Sequence, residues 1–273
     1  MQSAEGGPSE QETQVGDGRT IISDTGDDPV IVLSYAYAGA AQVQNALAAG
    51  AGLACTSGTG IIPLCAAAAE TWRRIEGRTD TALSSLAAVT VQRLVGAQVT
   101  AILAGSGQGR WCELTLAAPG AAETFLQLFP YARFACVHRA CLGVIRAAVQ
   151  ANPWGLHGQG LTPYLLAHPG NSIAALAEYW ADSAEQLIAF EDANPEATHR
   201  IRYEDVDAHP GQALAAMRAA FGLASTAHDS AQPEWLAEPD TQLANVPTEV
   251  IPEPLRQRVS RLHAELGYLP PPI

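Results

Sequence analysis

From Val30 onward, short apolar runs alternate with longer segments in which apolar residues recur every three or four positions. The short runs are typical of buried strands, and the longer segments are typical of amphipathic helices. We predict strands at 31–35, 53–55, 110–115, 134–138 and 199–203. We predict helices at 40–49, 63–75, 83–104 (one helix or two), 119–129, 142–151, 173–191, 211–221 and 254–266. This alternation predicts an α/β fold with a mostly parallel sheet flanked by helices.

Two segments depart from this alternation. Residues 1–28 lack apolar periodicity and are rich in glycine, serine and acidic residues, so they are expected to form a flexible acidic leader. Residues 152–172 combine glycine, histidine and aromatic residues in a stretch of loop that is long for a compact domain, which favours a lid-like binding loop. We therefore predict a single domain over 29–273 that carries this lid.

The charge pattern excludes several classes of partner. The chain has a net charge of −13 and its 15 basic residues are all arginine, because lysine is absent. Such a surface is unsuited to nucleic acid, and any anion site must use arginine or backbone N–H groups. We expect no membrane span and no signal peptide, and hence a cytoplasmic protein. The alanine-rich, lysine-free composition is typical of a GC-rich bacterial genome.

The five cysteines include no CxxC pair. An odd number of thiols without metal-ligand spacing indicates reduced, mostly buried cysteines, and neither a disulfide framework nor a zinc site. We therefore predict no metal centre.

The segment that begins with strand 31–35 has the layout of a phosphate-cradling loop. The strand leads into a turn of small residues around Gly39, and alanines then continue as a helix. Backbone N–H groups at Gly39, Ala40 and Ala41 would face an anion, because the first N–H groups of a helix lack partners within it. These three residues are the predicted anion cradle.

Four segments, taken in order, resemble the PAPS-dependent sulfotransferase family, whose fold is P-loop-kinase-like. The cradle resembles the family's 5′-phosphosulfate loop, residues 129–139 (FPYARFACVHR) resemble its "FPDARFVCVHRDPRD" strand and turn, and 202–205 (RYED) with the Phe-Gly-Leu at 221–223 resemble its "RYEDLVADP…FLGL". The ending LHAELGY at 262–268 completes the series. The resemblance implies a sulfotransferase-type fold over about residues 30–268.

The positions that bind the donor in this family are mostly changed here. Tyr37 replaces the basic residue that binds the phosphosulfate, and Ala40 and Ala41 replace two threonines. Arg139 matches the arginine that contacts the 3′-phosphate, and Arg146 is the nearby base that could compensate for the losses. Other family residues are replaced by Ala36 (proline), Leu114 (lysine) and Ala147 (serine).

These losses argue against the usual donor. A charge-assisted hydrogen bond to phosphate is worth about 1.5–3 kcal/mol, so the loss of a cation and two hydroxyls costs about 4–8 kcal/mol of PAPS binding. We expect no cofactor, with PAPS required only if the donor site is rearranged.

We expect a degenerate sulfotransferase-fold protein of bacterial natural-product biosynthesis, acting on a small, already sulfated substrate. Loop amides and Arg139 would hold the departing sulfate while Glu113, His157 or His168 accepts a proton, giving elimination or ring closure. One alternative is a PAPS-dependent sulfotransferase with a rearranged donor site. The other is a non-catalytic subunit that supports an active sulfotransferase, and a homodimer is a further possible assembly.

Several of these residues have a structural alternative. Glu113 could be a capping or ion-paired acid, His138 a core histidine, and Arg139 a partner in a structural salt bridge. Thr56, Ser57 and Thr59 could bind substrate or cap the following helix, and Arg202, Glu204 and Asp205 are expected to form structural ion pairs.

Overall fold

The computed structural model describes residues 28–49, 52–77, 83–116, 118–152, 155–156, 158, 160–223 and 246–268. The strands are β1 (Val30–Ser34), β2 (Leu53–Ser57), β3 (Arg110–Thr115), β4 (Arg133–His138) and β5 (Thr198–Arg202). The helices are α1 (Ala40–Ala48), α2 (Ile61–Ile75), α3 (Ser85–Ser106), α4 (Pro119–Leu128), α5 (Cys141–Ala151), α6 (Thr162–Ala167), α7 (Ser172–Ala193), α8 (Tyr203–Ala208), α9 (Pro210–Ala220) and α10 (Glu253–Glu265). A short 3₁₀ turn occupies Thr248–Val250.

The five strands form one parallel sheet in the order β2-β3-β1-β4-β5. The chain builds the β2 side first and then crosses β1 to build the β4 side, so the strand order changes direction beside β1. Ligands of open α/β sheets bind outside the carboxyl ends of the strands at such a change of direction. The predicted α/β fold with a mostly parallel sheet is confirmed.

Apolar side chains cover both faces of the sheet. Ile31 and Leu33 of β1 face a core built with α2, α3, α4, α5, α7 and α10, whereas Val30 and Val32 face a smaller core with α1, α8 and α9. This alternation follows the two-residue period of a strand, and a strand that is covered on both faces is a continuous apolar run. All five residues of β1 are buried, which makes β1 a rigid support for the loop that follows it.

The predicted lid region contains a helix. Thr162–Ala167 forms α6, and Asn171 caps α7 by accepting a hydrogen bond from the Ala174 N–H at 3.0 Å. Residues 153, 154, 157 and 159 of this segment, together with 1–27 of the predicted leader and residues 224–245, lie outside the described residues. Helix α8 was not predicted, because its six residues are too short to show a period.

Helix α3 is, by length and composition alone, the one helix among the described residues that could cross a membrane. Its N-cap is Ser84, whose hydroxyl accepts the Ala87 N–H at 3.2 Å. Val91, Val95 and Val99 pack into the larger core, while Leu86 and Leu94 stay exposed. An amphipathic helix of a globular domain has this same division, so the apolar composition is weak evidence for a membrane span.

All five cysteines are free thiols and only Cys55 is more than marginally exposed. Burial raises the pKa of the Cys65 thiol to about 12. The prediction that the cysteines are mostly buried is confirmed.

Candidate functional site

A cavity of about 870 Å³ opens at the carboxyl edge of the sheet, beside β1. The β1–α1 loop forms one wall, the β2–α2 loop forms a second, and α5 forms a third. The described lining residues are Tyr35, Ala36, Tyr37, Ala38, Gly39, Ala40, Ala41, Gln42, Ser57, Gly58, Gly60, Pro63, Leu114, Thr115, Leu116, Arg139, Ala147, Gln150, Ala151 and Tyr203. Among them, Arg139 alone carries a charged side chain.

The start of α1 forms the base of this cavity. Gly39 precedes the helix with a φ of 83° and no side chain caps the helix end. The first helical hydrogen bond runs from the Val43 N–H to the Gly39 carbonyl, and the N–H groups of Gly39, Ala40 and Ala41 meet no acceptor among the described residues. Three such N–H groups at a helix N-terminus make an electropositive surface suited to an anion. The three residues predicted to cradle an anion therefore lie at a helix N-terminus that faces the cavity.

The loop ahead of α1 is held in place by tyrosine hydroxyls. The Ala36 N–H donates to the Tyr179 hydroxyl at 2.9 Å, and the Tyr35 hydroxyl donates to the Arg139 carbonyl at 3.2 Å. Burial raises the pKa of both Tyr35 and Tyr179, so both stay protonated at neutral pH. The loop conformation is thus fixed before any ligand binds.

Tyr37 bridges the loop and the end of α5. Its φ of 66° is unusual for a residue with a side chain, and its hydroxyl accepts a hydrogen bond from Asn152 Nδ2 at 3.0 Å. The left-handed conformation costs about 1 kcal/mol, which this contact and packing against the larger core offset. Tyr37 therefore occupies the position at which the family that the sequence resembles has a basic residue.

Arg139 follows β4 and approaches the cradle from the side. Its Nη1 donates to the Tyr37 carbonyl at 3.3 Å, and its guanidinium lies over the Tyr203 ring at 4.3 Å from the centroid. Gly143 leaves room for the side chain, since a Cβ there would lie 2.8 Å from Arg139 Nε. Stacking on a ring leaves guanidinium N–H groups available at the ring's edge.

The replaced family positions gather around the same cavity. Tyr37, Ala40, Ala41, Leu114 and Ala147 all line it, and each presents a neutral side chain. Arg146, the predicted compensating base, is half-buried on α5 and is not among the described lining residues.

Two of the three predicted proton acceptors, Glu113 and His168, do not line the cavity. Glu113 is 1% exposed and its carboxylate accepts hydrogen bonds from Thr56 and Thr59. His168 lies 2.7 Å from Glu178 at the α6–α7 connection, and neither it nor Glu113 is among the described lining residues. His157 lies outside the described residues. No carboxylate or imidazole is therefore found in the described cavity wall.

Other sequence interpretations are resolved by their contacts. His138 is fully buried with Nε2 3.0 Å from Glu191 Oε1, which fits a core histidine. Arg202 pairs with Asp205 at 2.8 Å, as predicted for a structural ion pair. The N-cap of α2 is Gly60, and the Thr59 hydroxyl just before it accepts the Ile61 N–H at 3.3 Å, whereas Ser57 lines the cavity.

Among the described residues no group of three histidine, cysteine, aspartate or glutamate side chains could hold a metal ion.

Sequence reasoning missed the supporting role of Tyr203. Its ring lies under Gly39, where a Cβ would come within 2.2 Å of Tyr203 Cδ2, and it also stacks on Arg139. Its position directly after a strand that ends at the cavity edge was the available signal.

The fold and the cavity define a class of protein: a parallel α/β domain whose central strand leads through a short loop into a helix N-terminus that faces the cavity. A family model described as the sulfotransferase family matches residues 29–227. The chain therefore belongs to the sulfotransferase family. Among curated protein sequences none matches significantly.

Solved structures of similar fold agree with this assignment. The sulfotransferase domain from the curacin biosynthetic pathway has 16% identity and a TM-score of 0.56, covering 90% of this chain and 99% of that one. The sulfotransferase domain of the Synechococcus PCC 7002 olefin synthase has 13% identity and a TM-score of 0.52, with coverages of 90% and 97%. A sulfotransferase from Alicyclobacillus acidocaldarius has 12% identity and a TM-score of 0.52, with coverages of 89% and 96%. At these identities the likeness concerns the fold.

Proposed function

We propose that this protein acts in bacterial natural-product biosynthesis on an intermediate that already carries a sulfate ester, and that it promotes loss of that sulfate or ring closure. The observation that carries the proposal is the composition of the cavity wall. Its described electropositive groups are the N–H groups of Gly39 to Ala41 and one guanidinium, that of Arg139. The family membership and the two biosynthetic sulfotransferase domains of similar fold support the setting.

The usual donor of the family does not fit these residues. PAPS presents a phosphosulfate and a 3′-phosphate, and the described wall offers one guanidinium for both. The side chains of Ala147 and Leu114 cannot form hydrogen bonds at the positions where the family has serine and lysine. A single sulfate monoanion matches the available charge, so a sulfate ester with a neutral, apolar body is the preferred ligand.

The chemistry follows from holding that sulfate. An amine or hydroxyl of the substrate forms a bond to the carbon that bears the ester oxygen, that C–O bond breaks, and its electron pair leaves with sulfate. The nucleophile's proton passes to water, since the described wall holds no carboxylate or imidazole. The cradle and Arg139 contribute by stabilising charge on the departing oxygens, where fixed dipoles act most strongly.

Calorimetry tests the choice of ligand. We expect phenyl sulfate to bind with a dissociation constant on the order of 1 mM, and adenosine 3′,5′-bisphosphate, the desulfated donor, to show no micromolar binding. Micromolar binding of the nucleotide would overturn the proposal in favour of a PAPS-dependent enzyme with a rearranged site.

Arg139→Ala tests the cation. The loss of a charge-assisted hydrogen bond should weaken phenyl sulfate binding by about 10- to 100-fold. Arg93→Ala removes an equal charge from the exposed face of α3 and should leave the affinity unchanged. Equal effects of both variants would mean that general charge, and not this site, attracts the anion.

A second candidate is a non-catalytic subunit of an active sulfotransferase, and it is favoured by the absence of an acid or base from the described cavity wall. It predicts that Arg139→Ala leaves the pathway product unchanged in the producing cell. The preferred function predicts accumulation of the sulfated intermediate instead.

A further inference from the structure

Glu113 is a buried carboxylate at the centre of a hydrogen-bond network. It lies on β3 and pairs in register with Thr56 on β2, and its side chain is 1% exposed. A buried carboxylate is costly unless its oxygens accept hydrogen bonds. The hydrogen-bond donors around Glu113 therefore indicate which part of the structure its carboxylate stabilises.

All its described partners belong to the end of β2 and the β2–α2 loop. Oε2 accepts from the Thr56 hydroxyl at 2.5 Å, and Oε1 accepts from the Thr59 N–H and the Thr59 hydroxyl, both at 2.9 Å. One carboxylate oxygen is bonded to Thr56 near the end of β2 and the other to Thr59 in the loop, so the carboxylate holds both ends of the segment between 56 and 59.

The network continues into the elements beside it. The Thr56 hydroxyl accepts from Trp111 Nε1 at 2.7 Å, and the Thr56 carbonyl accepts from Gln44 Nε2 of α1 at 2.7 Å. Thr59 in turn holds the first turn of α2 through the Ile61 N–H. The loop is thereby tied to β3, α1 and α2 at once.

The held loop is a wall of the cavity. Ser57, Gly58 and Gly60 line it across from the start of α1. Gly58 and Gly60 have φ values of 65° and 76°, a conformation that glycine reaches without strain and that leaves the loop dependent on outside contacts for its shape. Those contacts come from Glu113 and from the Gly58 N–H, which donates to the Leu114 carbonyl at 3.3 Å.

We propose that Glu113 is a positioning residue, which shapes the substrate-facing wall of the cavity by accepting hydrogen bonds from Thr56 and Thr59 and does not take a proton from the substrate. The claim that this wall faces the substrate rests on the proposed function. The claim that Glu113 fixes the loop between β2 and α2 does not.

Glutamine and leucine at this position separate positioning from proton transfer. In Glu113→Gln the amide oxygen still accepts from Thr59 and the amide N–H₂ donates to the Thr56 hydroxyl, which turns toward the Cys112 carbonyl 3.4 Å away. Glu113→Leu removes every one of these bonds.

Hydrogen exchange measures the hold on the loop without any ligand. We expect the Thr59 amide to exchange at least about tenfold faster in Glu113→Leu and within about threefold of wild type in Glu113→Gln, because its N–H loses or keeps its acceptor. Unchanged exchange in Glu113→Leu would overturn the proposal.

Phenyl sulfate affinity and the yield of pathway product provide a second test of the Glu113 variants. Phenyl sulfate should bind Glu113→Gln as it binds wild type and Glu113→Leu at least about fivefold more weakly. Loss of the pathway product in producing cells that carry Glu113→Gln, with normal exchange at Thr59, would identify Glu113 as a general base and overturn the proposal. Failure of phenyl sulfate to bind wild type would overturn the proposed function alone, since the exchange result is obtained without it.

Thr59→Val is the alternative variant for the exchange experiment if Glu113→Leu does not fold. It removes the hydroxyl that joins Glu113 to α2 and should speed exchange across 57–60, whereas Thr71→Val, on the exposed face of α2 with its hydroxyl bonded to the Ala67 carbonyl, should not. Equal exchange in the two variants would contradict the network.

Discussion

At the scale of single residues, the cradle depends on a close contact between Gly39 and Tyr203. The ring of Tyr203 occupies the space that any side chain at 39 would need, and the same ring stacks on Arg139. One aromatic residue thus sets both the turn into α1 and the orientation of the cation beside it.

Replacement of Gly39 by alanine should destabilise the fold by about 2 kcal/mol or more, because a Cβ would lie 2.2 Å from Tyr203 Cδ2 at a φ of 83°. Urea unfolding measures this change. Gly58→Ala is the matched control, since its φ is 65° and nothing lies within 4 Å of a Cβ there, so only the backbone cost of about 1 kcal/mol applies. Equal losses would show that the Tyr203 contact contributes nothing.

At the scale of elements, α3 is a helix of apolar composition that packs against the core of the domain along one face. Its valines at 91, 95 and 99 repeat every four residues and face the core, and its exposed leucines at 86 and 94 lie outside that stripe. The burial of one stripe decides how the helix packs, and composition alone does not.

Two neighbouring substitutions test this orientation. Val95→Ala should cost about 1–3 kcal/mol of unfolding free energy, because Val95 is fully buried and its loss leaves a cavity. Leu94→Ala should change stability by less than about 0.5 kcal/mol, since Leu94 is 57% exposed. A larger loss at Leu94 would mean that the outward face packs against something.

At the scale of the whole molecule, His263 joins α10 to the start of α5, two residues after Arg139. Its Nε2 accepts the Cys141 N–H at 3.1 Å, and its ring packs against Trp180 and Tyr268. Burial lowers the pKa of His263 from 6.5 to about 4, so the ring stays neutral and keeps its acceptor.

This lowered pKa makes stability depend on pH. Below about pH 6.5 the unfolded chain binds a proton on His263 that the folded chain does not, so stability falls as the pH drops and levels off below about pH 4. The loss should reach about 3 kcal/mol over that window. His199, whose pKa burial also lowers, adds in the same direction. Unfolding free energies at several pH values measure the slope.

His263→Gln keeps an acceptor for the Cys141 N–H without a titrating group, so it should flatten the slope. An unchanged slope in this variant would assign the acid sensitivity to other groups.

The sequence by itself determined the α/β class, most strand and helix positions and the turn from β1 into α1, because hydrophobic periodicity, glycine and proline act over a few neighbouring residues. It also indicated the family, through motifs that occur in the family's order along the chain. It also placed Arg139 and the neutral replacements at Tyr37 and Leu114 on the edge where they are found. Motifs that follow successive parallel strands must meet at that edge.

Only the tertiary structure decided which of these groups touch. The partners of Glu113 are set by the register between β2 and β3, and the contact of Gly39 with Tyr203 joins a residue that follows the central strand β1 to one that follows the edge strand β5. His168 was a plausible loop base by composition, yet it pairs with Glu178 because α6 turns that segment toward α7. Contacts between distant residues depend on packing and strand register, and neither is encoded in the local pattern.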